Sequence, residues 1–425
     1  MDAFEVANNE AVKIAGIAIA VTFVSCIFIE FLLSKVLKRN YASSQYLIIN
    51  LSVAFLQQLT DLLNKGVFLF AFVWVQQHYS LQDLFGWKKI EAVNPFSPFN
   101  PLQLFNYFLV IVIADFCQYW LHRFSHEINI MWAGHVTHHS NSEYNLSVAV
   151  RQSAVEGIYT WVFFMPLAFF GIPWQLFVLA YSVSLLWQFL VHTQFVKRLG
   201  FLETFMATPS HHRVHHGKNE RYIDKNYGAF FIVWDKLFGT FEPETEKVEY
   251  GITQPLQNEN PLWSNVHHHA DILKRVWNDE SVSGKMKWLF GKPSAIYGKE
   301  KVTASATQFT PQSEKVVYVF INFLLTAVAG FLLMNTIEQT RNLWLYAATA
   351  GGVFVCFSIY TALLENKKWA DYAEAARLCV MLAGGVVLIA NTENLLGWAV
   401  TGSAICFIVF TLFIAAKYRS YSSAL

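Results

Sequence analysis

Residues 101–127, PLQLFNYFLVIVIADFCQYWLHRFSHE, hold two messages in one run. From about 102 to 120 the stretch is mainly apolar, and about 20 such residues suffice to cross roughly 30 Å of hydrocarbon as a helix. The same register then delivers His122 and His126, one turn apart on one face, where the apolar run ends. An apolar span that terminates in paired imidazoles predicts an all-α fold: a polytopic membrane helical bundle with a histidine-rich di-metal site on its cytosolic face.

The rest of the chain extends this pattern. Of 425 residues, 54% are hydrophobic and only 14% charged. Soluble domains carry about 25% charged residues, so this composition suits lipid as the solvent. A net charge of +1 gives no reason to expect nucleic acid as a partner. Further candidate spans run from about 11 to 33, 47 to 75, 315 to 334, 343 to 363, 370 to 390 and 395 to 416. The second carries Gln57, Gln58, Asp61 and Lys65 in its middle, which marks it as inward-facing or partly interfacial. The Pro-rich connector NPFSPFNP, 94–101, separates it from the next span. Residues 154–191, interrupted by Pro166 and by Gly171-Ile172-Pro173, read as a helical hairpin, either two full spans or a re-entrant pair.

These boundaries divide the chain into N-terminal spans and connector (1–100), a catalytic core (101–255), a cytosolic segment (256–314) and a four-span C-terminal bundle (315–425). The N-terminus lacks the basic start of a cleaved signal, so the first apolar segment is expected to stay as an anchor. Lys35, Lys38 and Arg39 place the end of the first span in the cytosol. Counting spans from there puts the histidines and the polar stretch 197–314 on that same side, with Lys88 and Lys89 as the one dissent. Cys26, Cys117, Cys356, Cys379 and Cys406 all lie in apolar stretches without C-x-x-C spacing and read as small hydrophobes.

Of the 14 histidines, none lies beyond residue 269. His135, His138 and His139 follow i, i+3, i+4 spacing, and His212, His215 and His216 repeat it; His211 adjoins that cluster and His192 ends the hairpin. Imidazole suits iron, zinc and copper, and ten histidines (122, 126, 135, 138, 139, 192, 211, 212, 215 and 216) exceed what one tetrahedral ion needs. They point to two metals sharing ligands, with His211 the weakest of its cluster because it lies about 100° away from His212 around a helix. His267, His268 and His269 lack the pattern and are expected to be non-ligands. Asp115 lies one heptad before His122 and, with Tyr119, continues that stripe inside a span. A carboxylate there is expected to take the second N–H of a ligand histidine. Arg151 and Gln152, just after the second box, are candidate head-group or cofactor contacts. The aromatic hairpin, from Trp161 to Trp187, is expected mostly to face lipid, with a tail tunnel as the alternative.

The three boxes resemble those of the fatty acid hydroxylase and sterol desaturase superfamily of membrane di-iron enzymes. The strings HRFSHEINIMWAGHVTHHSNSEYNLSVAVRQS (122–153), TPSHHRVHHGKNERYIDKNYG (208–228) and IVWDKLFGTFEPE (232–244) are similar to its alkylglycerol monooxygenase branch, over about 100 to 255. That resemblance implies two Fe ions, O2, and tetrahydrobiopterin as electron donor, with an external pterin-recycling reductase as a partner. It implies hydroxylation of the carbon next to an ether oxygen, giving a hemiacetal that collapses to a fatty aldehyde and a glycerol derivative. The membrane would be the endoplasmic reticulum in a eukaryote or the inner membrane in a bacterium. By position His122, His126, His135, His138, His139, His212, His215 and His216 match the boxes, and Glu127 matches the acidic residue that serves the pterin. His192-Thr193-Gln194 departs from the pattern, with an amide where a glutamate is expected. The alternatives are a sterol or fatty-acyl hydroxylase or desaturase fed by another donor, and a non-enzymatic metal transporter or sensor.

Overall fold

The structure, a computed structural model, describes residues 10–86, 101–297, 313–340, 343–391 and 405. Among these residues there is no strand, only isolated bridges between Met206 and Phe231 and between Gly217 and Tyr250. The chain divides into two compact units, one of residues 1–257 with 263–306, the other of 258–262 with 307–425.

In the first unit, α1 (Glu10–Val36) and α2 (Ser44–Tyr79) precede the opening stretch of the sequence, which folds as the single helix α3 (Pro101–Glu127). α2 starts where the Ser43 hydroxyl caps the Tyr46 N–H. Gln57 and Gln58 line a cavity, as inward-facing residues should; the side chains of Asp61 and Lys65, like the connector with Lys88 and Lys89, lie outside the described residues. Helix α4 (Asn129–His139) turns back after α3, and both pack together.

The hairpin has two unlike arms. Its first arm breaks into pieces, Gly157–Thr160, a 3-10 turn Trp161–Phe164, and Met165–Phe169. Its second arm is α5 (Trp174–Leu190), whose 17 residues span only about 26 Å. Between them Gly171 takes φ +75°, and a Cβ there would meet Gln82 and Ser80 side-chain atoms at 2.6 Å. Phe164, Leu167, Leu176 and Phe177 pack into one core with Phe72 of α2 and Val110 and Ala114 of α3. Close packing is what holds helices together where lipid is as apolar as the side chains. The hairpin aromatics divide accordingly: Phe169 and Phe170 face outward, while Trp161 and Phe164 line the cavity.

From 197 to 297 the polar stretch is folded. It contains α6 (Pro209–His215), α7 (Pro261–Asn278) and the short helices Val233–Phe238, Val282–Phe290 and Pro293–Tyr297.

In the second unit, α8 (Ser313–Thr340), α9 (Leu343–Leu364) and α10 (Ala370–Asn391) account for three of the four expected C-terminal runs. The fourth, about 395 to 416, lies outside the described residues apart from Ile405. Among the described residues, four helical segments are long and apolar enough to cross a membrane: Ile19–Val36, Pro101–Glu127, Ser313–Leu333 and Trp344–Leu364. The protein is an integral membrane protein built from helices.

Candidate metal centre

Nine histidines converge in two buried groups. His122, His126, His135, His139 and His215 form one; His138, His192, His212 and His216 form the other; within each, the ligand-type atoms lie within 4.8 Å of one another. The first box thus serves one group, whereas the second and third boxes are each shared. His135 and His139 go one way and His138 the other; His212 and His216 go one way and His215 the other. His192, two residues past the end of α5, completes the smaller group.

The polar surroundings orient these rings. His122 Nδ1 donates to the Tyr227 carbonyl (2.8 Å), His192 Nδ1 to the Gln188 carbonyl (2.6 Å) and His215 Nδ1 to the Lys225 carbonyl (3.0 Å). His135 Nδ1 donates to the Glu156 carboxylate (3.1 Å). A neutral imidazole has one ring proton, so in His135, His192 and His215 the Nε2 atom is left as a lone pair. Those Nε2 atoms approach the Nε2 of His139, His138 and His212 at 3.0 to 3.2 Å. The Nε2 atoms of His126 and His216 are buried without any partner. Converging lone pairs repel unless cations lie among them, so the donor set suits metal ions. It is all nitrogen, the preference of iron, zinc and copper over magnesium or calcium.

Burial and mutual proximity also keep the rings neutral. Desolvation first, and neighbouring imidazoles second, push His138, His139, His212 and His216 well below the usual histidine range. His215 is pushed down to about 3 and His192 to about 4, again chiefly by burial. Neutral imidazoles are the ligand form, available without proton competition near pH 7.

Loops from distant sequence hold the boxes. Arg213 forks onto Glu244 (2.8 and 2.7 Å) and donates to the carbonyls of Thr193, Val196 and Lys197, locking α6 to the segment after His192. Asn226, in the left-handed region at φ +56°, donates to the carbonyls of His211 and Glu242. At Gly228 a Cβ would meet the Phe231 carbonyl oxygen at 2.5 Å, so only glycine fits beside the Tyr227 carbonyl that orients His122. Glu30 of α1 accepts from the Leu146 N–H (2.5 Å) and the Thr193 hydroxyl (2.6 Å), bridging the loops after the second box and after His192.

Three sequence expectations change here, and the Gln194 departure finds a structural partner. His211 joins neither group; its ring packs against Phe241 (5.4 Å between centroids), because it points around α6 from His212. Asp115 accepts no histidine N–H. Its oxygens take the backbone N–H groups of Phe230 and Phe231 (2.8 and 3.0 Å) and the Trp234 indole (2.9 Å), pinning the loop beyond Tyr227 to α3. Arg151 is fully buried and faces inward, donating to the Thr137 carbonyl, Asn50 Oδ1 and the Ser140 hydroxyl at 2.9 to 3.2 Å, so it is not at hand for a head group or cofactor. Gln194 donates to the Tyr144 carbonyl (2.8 Å), a bond a glutamate carboxylate cannot make, so the departure from the family pattern is a structural bond.

Glu127, the last residue of α3, sits beside Arg123 (3.3 Å) and Lys292 (3.7 Å), and Lys292 also reaches Asp224 (3.0 Å). Gln152 donates to the Ala149 carbonyl (3.0 Å) and lies 3.1 Å from His138 Nδ1. Sequence reasoning missed Glu156 and Glu30. A carboxylate inside a candidate span was a signal for Glu30; Glu156 had none, since its partner His135 is met only in the fold. A cavity of about 330 Å³ opens on His122, His135, His138, His192 and His212. Much of its wall is apolar, from Phe68, Phe164, Phe177, Leu185 and Phe189, with Gln57, Gln118, Gln152 and Glu156 among the polar groups.

Residues 107–240 match the fatty acid hydroxylase family, a span that encloses every histidine of both groups. The chain is 34% identical over 380 residues to alkylglycerol monooxygenase from Homo sapiens, covering 84% of this chain and 79% of that one. It is 38% identical over 256 residues to the Danio rerio alkylglycerol monooxygenase, 60% of this chain and 54% of that one. More distantly, ornithine lipid hydroxylase OlsE of Rhizobium tropici is 32% identical over 152 residues, 35% of this chain and 46% of that one. No solved structure matches the chain.

Proposed function

We propose, from the premise that this chain belongs to the alkylglycerol monooxygenase family and is a lipid monooxygenase, that it oxidises the carbon bonded to the ether oxygen of an alkylglycerol. The observation that carries this reading is the pairing of two buried all-histidine groups with a cavity whose wall is largely apolar. The larger group would hold one iron ion and the smaller a second; when bound, the two irons supply the activation of O2.

The reaction balances as follows. One oxygen atom of O2 enters the C–H bond beside the ether oxygen, the other leaves as water, and two electrons with two protons come from a reduced pterin. The hydroxylated ether is a hemiacetal, which breaks its C–O bond to release a fatty aldehyde and a glycerol hydroxyl. This chain's own residues would place the lipid. Phe68, Phe164, Phe177, Leu185 and Phe189 enclose the alkyl chain and exclude water, while the polar wall residues receive the glycerol end. Glu127 offers a carboxylate for the N–H groups of tetrahydrobiopterin, with Arg123 and Lys292 beside it to hold its charge. The histidine end faces the cytosol in this reading, and an external reductase regenerates the pterin.

The test is direct. Purified protein supplied with iron, tetrahydrobiopterin and 1-O-hexadecylglycerol is expected to release hexadecanal. Bound iron without aldehyde overturns the substrate assignment. Turnover with a cytochrome or ferredoxin in place of the pterin overturns the donor.

A further inference from the structure

Helix α7 is built inside out. At about 100° per residue, Trp263, Val266, Ala270, Leu273 and Trp277 share one face, and Ser264, Asn265, His268, Ile272 and Arg275 share the opposite one. The more polar face is the one turned inward. The Ser264 carbonyl accepts from the Thr137 hydroxyl and Asn265 Oδ1 from the Ala154 N–H, both at 2.8 Å. His268 meets Asn129 at 2.9 Å, and the Arg275 guanidinium lies over the Trp288 ring at 4.7 Å. The apolar face looks out, with Leu273 66% and Trp277 88% exposed. The short helix Val282–Phe290 also turns an apolar stripe outward, Val282, Met286 and Phe290, with Val282 74% exposed. Lys285 and Lys287 stand about 60° to either side of that stripe. A helix facing water has the reverse distribution, and exposed apolar faces rimmed by polar residues mark a contact surface.

We infer that these two helices lie on the bilayer surface, their apolar faces among the outer acyl carbons and Lys274, Lys285 and Lys287 against acidic head groups. Position, residue type and charge all favour lipid over a protein partner. Asn129, two residues beyond the end of α3, donates to the Trp288 carbonyl (2.6 Å) and the Gly291 carbonyl (3.1 Å). The short helix is thereby tied to the end of a membrane-crossing helix. Tryptophan, present at both ends of the apolar face of α7, is the side chain that settles at the boundary of hydrocarbon and water. The nearby acids are mostly engaged, Asp271 by Arg275 (2.8 Å) and Asp279 by the Ser281 N–H (3.0 Å) and the Trp288 indole (3.1 Å). The lysines therefore set the sign of the surface, with Glu280 in the turn opposing them. Helices of this composition bind in the interface plane and prefer acidic lipids. Asn129 and Thr137 belong to α4, so α7 seated on lipid also braces the helix that carries His135, His138 and His139. None of this depends on which lipid is oxidised.

The experiment places a nitroxide at Trp277→Cys, Phe290→Cys or Asn278→Cys in the full-length chain, with the signal of the labelled unsubstituted chain subtracted. The protein is held in phosphatidylcholine vesicles with or without phosphatidylserine. Collisions with oxygen, which concentrates in hydrocarbon, are compared with those of a water-soluble nickel chelate. Oxygen is expected to dominate at the first two positions, and nickel at the third, which is exposed but off the apolar face. Phosphatidylserine is expected to shift the first two further toward oxygen. Lys274→Gln combined with Lys285→Gln and Lys287→Gln is expected to abolish that shift. Nickel dominance at all three positions overturns the inference, because both faces then stand in water. Exclusion of both reagents from the first two overturns it as well, since a second copy or another protein then covers them. A phosphatidylserine shift that is absent in the wild type, or that survives in the triple variant, overturns the pairing of the lysines with acidic head groups.

Discussion

Glu156 lies 21 residues beyond His135 in the chain and 3.1 Å from its Nδ1 in the fold. A carboxylate at that nitrogen fixes the tautomer and makes Nε2 a better donor to a metal. Glu156→Ala is therefore expected to retain iron about ten- to hundredfold less well, read as iron per chain after dialysis against a chelator. The histidines themselves were legible from spacing, because imidazoles one turn apart share a helix face. Glu156 was not, because its partnership is tertiary. Asp115 was legible as an unusual carboxylate in a span, yet spacing could not say that backbone N–H groups from residues 230 and 231 would claim it. His211 and His212 test the geometry against the sequence directly. His211→Ala is expected to leave iron content unchanged, whereas His212→Ala removes one of the four histidines of the smaller group and is expected to lower it. Equal losses in the two variants would show that the ring of His211 swings into the site.

Elements explain why the boxes divide between two centres. At 3.6 residues per turn, i+3 and i+4 fall about 60° to one side and 40° to the other of residue i. His138 and His139 therefore diverge by about 100°, and α4 can serve both groups at once. The sequence periodicity announced a shared face but not this division, which needs α5 and α6 to present His192 and His212 beside His138. The interruption of the hairpin was legible from Pro166 and Gly171-Ile172-Pro173, whereas the breakup of its first arm into three short pieces was not. Helix α7 supplies a pH-dependent contact through a histidine that belongs to neither histidine group. His268 Nε2 meets Asn129 Oδ1 at 2.9 Å and its ring packs on Tyr297. Burial, with His267 next in weight, pushes it from the ordinary histidine value of about 6.5 down to about 3. Between those values the unfolded chain binds a proton that the folded chain does not, so stability is complete above about pH 6.5 and falls as the pH drops toward 3. Lowering the pH from 7.5 to 5 is expected to cost about 1–2 kcal/mol through this group. His268→Gln keeps a donor for Asn129 and loses the proton linkage, so its melting temperature should fall less over the same interval. An identical fall in both proteins would remove His268 from the account.

At the scale of the whole molecule, both histidine groups lie in the first unit, yet the second is no plain apolar scaffold. The low charge of its spans gave no hint of how the few charges are used. Arg377 of α10 donates to both oxygens of Glu374 (2.7 and 2.6 Å) and to Asn322 Oδ1 of α8 (2.7 Å), and its guanidinium lies over the Tyr360 ring of α9 (5.2 Å). The Tyr318 hydroxyl also donates to Glu374, and Tyr360 pairs with Thr326 at 2.7 Å. Arg377, Glu374 and Asn322 are all buried, so this network clasps three helices through groups that could not lie there singly. Glu374→Ala leaves the Arg377 charge without its carboxylate in an apolar bundle, at an expected cost of about 3–5 kcal/mol to that unit. Because no member of either histidine group belongs to the second unit, iron per chain should stay at the wild-type value while a low-temperature transition appears in calorimetry. Loss of iron in step with that transition would show that the histidine groups depend on the clasp after all.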